Sequence, residues 1–171
     1  MKDFTIATAF CCLLLFGFIG SAQDGACACC TENHSDFDFW IGQWAVSNPD
    51  GTAAGTNRIE KIQSGCLVQE HWISADGQLS GTSFNFYNAK SGQWEQLWVD
   101  NMGSTLKLSG NRLEDRMVLA SEPFVLTDGN TYVNRITWTL MPDGRVRQLW
   151  ELLQDDQVVN TLFDGLYKKS E

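Results

Sequence analysis

The chain is poor in basic residues and in proline, and both shortages restrict what the protein can be. Only 12 of its 171 residues are Lys or Arg, against 21 Asp or Glu, so the net charge is −9. Nucleic acids and anionic membrane surfaces require a basic patch, so neither is expected as a partner. The 3 prolines stand against 15 glycines, which favours many tight turns over a flexible linker.

The sequence also lacks the short motifs of common enzyme classes. It contains no Gly-x-Ser-x-Gly elbow, no Gly-Lys-Ser/Thr phosphate loop, no His-Glu-x-x-His and no Gly-x-Gly-x-x-Gly. Its only histidines are His34 and His71, and neither lies in a sequence context that marks a catalytic triad. What is abundant is apolar and aromatic: 43% of the residues are hydrophobic, with 7 Trp and 10 Phe, which excludes a disordered chain.

The N-terminal residues have the layout of a secretory signal peptide. Lys2 precedes a nearly continuous apolar run over residues 4–19, and Gly20, Ser21 and Ala22 supply small residues for cleavage after Ala22. A transmembrane anchor is the alternative, but the run is short and no basic cluster follows it. We therefore expect a secreted or periplasmic protein without membrane insertion of the mature chain.

Export makes the remaining cysteines interpretable. The expected division is a signal peptide over 1–22, a cysteine-containing arm over 23–37 and a β-barrel domain over 38–171. Four cysteines in an exported chain indicate disulfides. Adjacent cysteines cannot easily bridge each other, so Cys66 is expected to pair with one of Cys27, Cys29 and Cys30, and we predict a Cys30–Cys66 disulfide. A soft-metal site in the Cys-Ala-Cys-Cys segment is the alternative.

Turn sequences recur at short intervals and divide the mature chain into strands. Examples are Pro49-Asp50-Gly51, Asp76-Gly77, Ser109-Gly110-Asn111 and Pro142-Asp143-Gly144. Strands are predicted at 40–47, 55–63, 66–74, 79–88, 93–100, 104–109, 112–120, 131–140, 145–154 and 157–168, with one helical turn over 35–41 and a short extra piece over 122–127. About ten sequential strands indicate an all-β fold, either an antiparallel up-and-down barrel or a sandwich, and we predict a single barrel.

Several predicted strand faces mix tryptophan with polar residues. Trp94, Gln96, Trp98 and Asp100 share one face, and Glu70 shares another with Trp72. Aromatic walls with a few polar groups are typical of a cavity that holds a ligand. The alternative is a filled core with the carboxylates in solvent. A buried carboxylate would need a cation, and Arg135 is the candidate partner.

The segment Phe37-Asp38-Phe39-Trp40-Ile41-Gly42-Gln43-Trp44 resembles the opening motif of a group of uncharacterised secreted bacterial proteins. Residues 65–72, 81–85, 94–100 and 163–167 extend the resemblance over nearly all of the mature chain. That group is similar to the calycin-like barrels, which include lipocalins, fatty-acid-binding proteins and nitrobindins.

The resemblance has two implications for individual residues. Gly42-x-Trp44 resembles the lipocalin signature, in which the Trp closes one end of the barrel and an Arg from a late strand lies over its ring. Arg135 and Arg147 are the available partners. Haem-binding relatives use a late-strand histidine as axial ligand, and this chain has no histidine after His71. No cofactor or metal is therefore expected.

The resulting hypothesis is an exported barrel that binds an unidentified, partly apolar small molecule. Closure of the barrel removes edge strands, so the sequence gives no indication of oligomeric state. One alternative is an enzyme with Glu70 and Asp100 as acid and base, and another is a structural protein with a filled barrel. The candidate ligand-binding residues are Trp44, Glu70, Trp72, Asn85, Gln96, Trp98, Asp100, Arg135, Trp138 and Trp150.

Overall fold

A closed antiparallel β-barrel forms the body of the computed structural model, which describes residues 27–170. The predicted signal peptide lies outside these residues. The strands are β1 (Gly42–Ser47), β2 (Ala53–Ile62), β3 (Leu67–Ser74), β4 (Ser80–Asn88), β5 (Gln93–Asp100), β6 (Thr105–Leu113), β7 (Arg116–Ala120), β8 (Phe124–Val125), β9 (Thr131–Leu140), β10 (Val146–Gln154) and β11 (Gln157–Lys169).

Ten of these strands follow each other around the barrel, and the up-and-down prediction is confirmed. Each pairs with its sequence neighbour, except that β7 pairs directly with β9. The ring closes where β1 meets β11, with Trp44 opposite Lys169. The two-residue β8 is an extra strand that pairs only with β9, at Phe124 opposite Tyr132.

The predicted turn at residues 109–111 is wrong, because β6 continues through Gly110 to Leu113. A Cβ at Gly110 would lie 2.1 Å from the carbonyl oxygen of Val118 on β7. Glycine therefore permits a close approach of two strands at this position. The chain reverses at residues 114–115 instead, where Glu114 has a φ of 58°.

Aromatic residues fill one end of the barrel, which we call the closed end. Two 3-10 helices, Glu32–Ser35 and Asp38–Trp40, precede β1. Phe37 lies between these helices and Trp40 ends the second one. Each is 0% exposed, and their ring centroids are 4.9 Å apart in a stacked arrangement. The Trp44 indole N–H donates to the carbonyl of Trp40 at 2.8 Å, and the Trp138 ring lies 5.4 Å from that of Trp40.

Two disulfides hold the N-terminal arm, and their pairing differs from the prediction. Cys29 is bonded to Cys66 and Cys27 to Cys30. The N–H of Cys30 donates to the carbonyl of Cys27 at 3.3 Å, so a tight turn brings those two side chains together and leaves Cys29 for Cys66. All four cysteines are oxidised in this arrangement, which leaves no thiolate among them for a soft metal.

Candidate functional site: a cavity at the open end of the barrel

The end of the barrel opposite the aromatic closed end is open, and a cavity of about 540 Å³ leads inward from it. We define the open end by the loops over residues 48–52, 75–79, 101–104, 121–130 and 155–156. The aromatic wall of the cavity is formed by Trp72, Trp98, Trp150 and Phe163. Its polar lining comes mainly from Glu70, Gln96, Gln148 and Tyr167.

Two glycines make room for the indole rings of this wall. A Cβ at Gly81 would lie 2.1 Å from the ring of Trp98, and a Cβ at Gly55 would lie 2.7 Å from the ring of Trp72. Each glycine lies on the strand next to the one that carries the tryptophan, so the indole ring can lie directly against the glycine backbone. The two rings are thereby kept close to the barrel wall, and the space between them remains open.

Hydrogen bonds and ring packing fix two of these tryptophans further. The Trp150 indole N–H donates to Oδ1 of Asn134 at 2.8 Å. The ring of Trp72 meets that of Phe163 edge to face, with centroids 5.8 Å apart. Because the Trp150 N–H is already bonded, its ring carbons remain for contact with an apolar guest.

Among the described residues, the cavity lining has two acidic ones: Asp76, in the loop between β3 and β4 at the rim, and Glu70, which is 5% exposed. Oε1 of Glu70 accepts a hydrogen bond from Nδ2 of Asn57 at 2.7 Å, and its Oε2 accepts one from Oγ of Ser83 at 2.6 Å. Burial raises the pKa of this carboxyl above its ordinary value, although both hydrogen bonds oppose the rise. In the part of the chain that the structure describes, Glu70 has no ion-pair partner.

The hydrogen bonds of Glu70 continue around the barrel in both directions. On one side, Asn85 donates to Oγ of Ser83 at 2.8 Å, and Gln96 donates to Oδ1 of Asn85 at 2.7 Å. On the other side, the Tyr167 hydroxyl accepts from Asn57 at 3.3 Å and donates to Oε1 of Gln148. Burial, followed by the nearby Glu70 carboxylate, raises the pKa of Tyr167 well above 10. The phenol is therefore neutral at physiological pH.

The structure brings half of the predicted residues into the cavity lining: Glu70, Trp72, Gln96, Trp98 and Trp150. Asn85 is 0% exposed and lies behind Gln96, so it touches the cavity only through that side chain. Trp44 and Trp138 are buried in the closed end, outside the cavity lining.

Asp100 was predicted to share the cavity with Glu70, but it is not among the residues that line the cavity. Only its Oδ2 approaches the wall, where it accepts a hydrogen bond from the Trp98 indole N–H at 3.4 Å. Its Oδ1 accepts from the backbone N–H groups of Met102 at 3.0 Å and Ser104 at 2.9 Å, so the side chain holds the β5–β6 turn. These backbone bonds, the one from Ser104 first, lower the pKa of Asp100. As the last residue of its strand, Asp100 is free to turn toward its own loop. The predicted acid–base pair is therefore not assembled.

Arg135 was predicted as the cation for a buried carboxylate, and this is also wrong. It lies on the outer face of β9, where its Nη2 is 2.8 Å from Oε2 of Glu151 on β10. The neighbouring Asn134 and Ile136 are the residues that point inward and are buried. Strand alternation therefore excludes Arg135 from the interior.

The cation over the ring of Trp44 is a lysine, contrary to the expectation of Arg135 or Arg147. Lys169 Nζ lies 5.4 Å from the ring centroid. Arg147 points outward and binds Asp164 on β11 at 2.7 Å. Lys169 can reach the ring because it stands directly opposite Trp44 in the β1–β11 pairing.

The sequence analysis missed several polar members of the site: Asn57, Ser83, Gln148 and Tyr167. Each lies on the inward face of its strand, and Asn57 shares that face with the buried Gly55 and Ile59. A count of every second residue along β2 would therefore have found Asn57. No local signal shows that it binds Glu70, because the two residues meet only through strand register.

A second concavity, of about 650 Å³, lies on the outer surface of the barrel, and residues of β1 to β5 line it. Its lining includes the exposed side chains of Arg58, Ile73 and Val99. Exposed walls remove little water from a guest, so the interior cavity is the better candidate site. His71 is partly buried on this outer face, as its position between Glu70 and Trp72 predicts.

Comparisons with known proteins assign no family to the chain. No family model matches it, and no curated protein matches it. The closed barrel is compatible with a calycin-like architecture. Within residues 27–170 there is no group of three or more His, Cys, Asp or Glu placed to hold a metal ion. None of the helices in that part of the chain is long and apolar enough to cross a membrane.

Proposed function

We propose that this protein binds a small, partly apolar molecule in the cavity at the open end of the barrel. The observation that carries the proposal is a space of about 540 Å³ with three tryptophans in its wall and hydrogen-bonding groups in its lining. Small-molecule sites have volumes of roughly 300–1,000 Å³ and the same combination of apolar walls and few polar groups. A filled structural barrel would lack such a space.

We also propose that the protein is exported and that the side chains of its binding site are already oriented before the guest binds. Two disulfides are typical of exported proteins, which supports a secreted or periplasmic location. The buried network around Glu70 is closed by hydrogen bonds from both sides. A guest would therefore meet groups that are already oriented, which reduces the ordering cost of binding.

No arrangement in the described residues favours the enzyme alternative. Acid–base catalysis of the kind expected from the sequence needs two groups beside one substrate. Asp100 holds a turn at the rim through Met102 and Ser104, and Glu70 is left as the acidic group among the polar residues deeper in the cavity. Binding is therefore the function that the geometry supports best.

The proposal can be tested with N-phenyl-1-naphthylamine, an uncharged dye whose fluorescence rises in apolar surroundings. Ala54 lines the cavity and is partly buried, whereas Ala45 is exposed on the outer face of β1. We expect the dye to bind the wild-type protein and to bind Ala54→Phe at least several-fold more weakly, because the added ring occupies the cavity. The matched variant Ala45→Phe should bind as the wild type does. Equal binding by both variants, or none by the wild type, contradicts the proposal.

A further inference from the structure

The loops at the open end carry acidic side chains and, within the described chain, no Lys or Arg. Their carboxylates are Asp50, Asp76, Glu122, Asp128, Asp155 and Asp156. Basic residues concentrate toward the closed end, at Lys61, Lys90, Arg112, Arg116, Arg145 and Lys169. Acidic residues such as Glu114, Asp115 and Asp143 offset the basic ones there, whereas the open end keeps a net negative charge, which attracts cations to the entrance of the cavity and repels anions from it.

Local hydrogen bonds favour the ionised form of two carboxylates in these loops. A hydrogen bond from the Thr52 side chain lowers the pKa of Asp50, and one from the Tyr132 hydroxyl lowers the pKa of Asp128. The negative field at the open end therefore does not depend on small changes in pH. It acts on an approaching guest before any contact is made, and added salt screens it.

Inside the cavity the same sign of charge recurs, at Glu70. The groups facing its carboxyl are Asn57 from β2, Ser83 from β4 and Tyr167 from β11. Only Tyr167 among them titrates, and its pKa is raised, so it is neutral. In the described part of the chain the cavity lining contains no Lys, Arg or His. A buried carboxylate without a cation is costly, and a cationic guest would remove that cost.

The walls beside Glu70 suit a cation as well as an apolar group. Trp72, Trp98 and Trp150 line the same space. The faces of aromatic rings attract cations through their quadrupole, and Trp does so best. A cationic head group would contact the Glu70 carboxylate on one side and the faces of these indole rings on its other sides. An alkyl or aryl tail would meet Leu106 and Phe163 in the same lining.

We propose that the ligand of this cavity is a small organic cation, an alkyl- or aryl-ammonium compound, whose charged head binds against Glu70 among the tryptophans. The inference rests on the proposed function, since it requires that the cavity bind a guest at all. A fatty acid is the opposite case, because its carboxylate would meet the field of the acidic loops and the Glu70 carboxyl.

Binding of such a cation should release a proton. Burial raises the pKa of Glu70 in the empty cavity, and a permanent cation beside the carboxylate lowers it, so binding releases a proton wherever Glu70 of the free protein is still protonated. The carboxyl then loses its proton to solvent as the ion pair forms, so affinity for a quaternary ammonium rises with pH until Glu70 is ionised in the free protein. Affinity for an uncharged guest has no such rise.

The test uses three probes with the same octyl chain and different heads: octyltrimethylammonium, octanol and octanoate. Each displaces bound N-phenyl-1-naphthylamine from the full mature protein, which gives a relative affinity. We expect octyltrimethylammonium to bind about 10-fold or more tightly than octanol, and octanoate to bind most weakly. Calorimetry in two buffers of different ionisation enthalpy should show proton release for the ammonium probe alone.

Two variants locate the effect. Glu70→Gln keeps the shape of the side chain and removes its charge, so the preference for ammonium over octanol should fall to near 1. Glu95→Gln removes a charge from a side chain on the outer face of β5 that accepts a hydrogen bond from Asn88 at 2.6 Å, and it should keep the preference. The calorimetric measurement of proton release uses only the wild-type protein, so it still tests the proposal if Glu70→Gln fails to fold.

The outcomes separate this inference from the function on which it rests. Dye binding with no preference for ammonium, or with a preference for octanoate, overturns the cationic ligand and leaves a binding cavity. A preference that survives in Glu70→Gln also overturns it, because the charge of Glu70 would not be the cause. Failure of the dye and of all three octyl probes to bind overturns both proposals.

Discussion

The Cys29–Cys66 disulfide should contribute more stability than the Cys27–Cys30 disulfide. The first joins residues at a sequence separation of 37, from the arm to the residue before β3, and the second spans a separation of 3. In the chain-entropy description, closing the longer loop restricts the unfolded chain by about 4 kcal/mol at 25 °C, and closing the shorter one by about 2 kcal/mol. In this description the difference arises in the unfolded state, because the longer loop removes more of the freedom of the unfolded chain.

The test uses two double variants. One replaces Cys29 and Cys66 with serine and the other replaces Cys27 and Cys30, so neither variant keeps an unpaired thiol from the bond that it removes. Urea unfolding followed by tryptophan fluorescence measures the free energy of unfolding. The first variant should lose about 4 kcal/mol, which corresponds to a fall of about 10 °C in Tm for a domain of this size. The second should lose about half as much.

Two results would refute this reasoning. Equal losses in the two variants would mean that loop length does not set the contribution of these bonds. A larger loss in the Cys27 and Cys30 variant would mean that the bonds act mainly through folded-state contacts of the arm. Binding of N-phenyl-1-naphthylamine should persist in both variants below their Tm, because the cavity opens at the other end of the barrel.

Two further predictions concern the cavity itself. Burial raises the pKa of Glu70 above 4.5, so this residue's contribution to the free energy of unfolding is full below that pH and falls as pH rises through the folded-state pKa, by about 1.4 kcal/mol for each pH unit between the unfolded and folded pKa. The free energy of unfolding of Glu70→Gln, measured from pH 4 to pH 8, should lack this fall. Parallel curves for the variant and the wild type would contradict the prediction. Gly81→Ala places a Cβ against the Trp98 ring, so the ring must move into the cavity; we expect the free energy of unfolding to fall by about 1–3 kcal/mol and dye binding to weaken. Unchanged stability and binding would contradict that displacement.

Much of the barrel could be predicted because its signals are local. Turn sequences such as Asp76-Gly77 interrupt the chain at regular intervals, and the runs between them are rich in Val, Ile, Thr, Phe and Trp. Both signals are read within about ten residues. The failure at Gly110 has the same origin, because a glycine that ends a strand and one that permits close strand approach look alike in sequence. Only the position of Val118 on the next strand distinguishes them.

The polar part of the site was harder to predict, for two different reasons. Arg135 was assigned to the interior because a buried carboxylate ordinarily needs a cation, although alternation with Asn134 and Ile136 places it outside. Here the local rule was correct and the expectation of pairing misled. The contact of Glu70 with Asn57 depends instead on the register between β2 and β3 and on both side chains reaching across it. No pattern within one strand contains that information.

The seven tryptophans divide between the two ends of the barrel, and this division links composition to function. Trp40, Trp44, Trp94 and Trp138 are at most 2% exposed and form the closed end with Phe37. The other three, Trp72, Trp98 and Trp150, line the cavity. One residue type thus supplies area for a core at one end and flat, hydrogen-bonded walls for a guest at the other. Glycines and polar partners decide which role each tryptophan takes: Gly55 and Gly81 hold two indoles against the wall, and Asn134 orients the third.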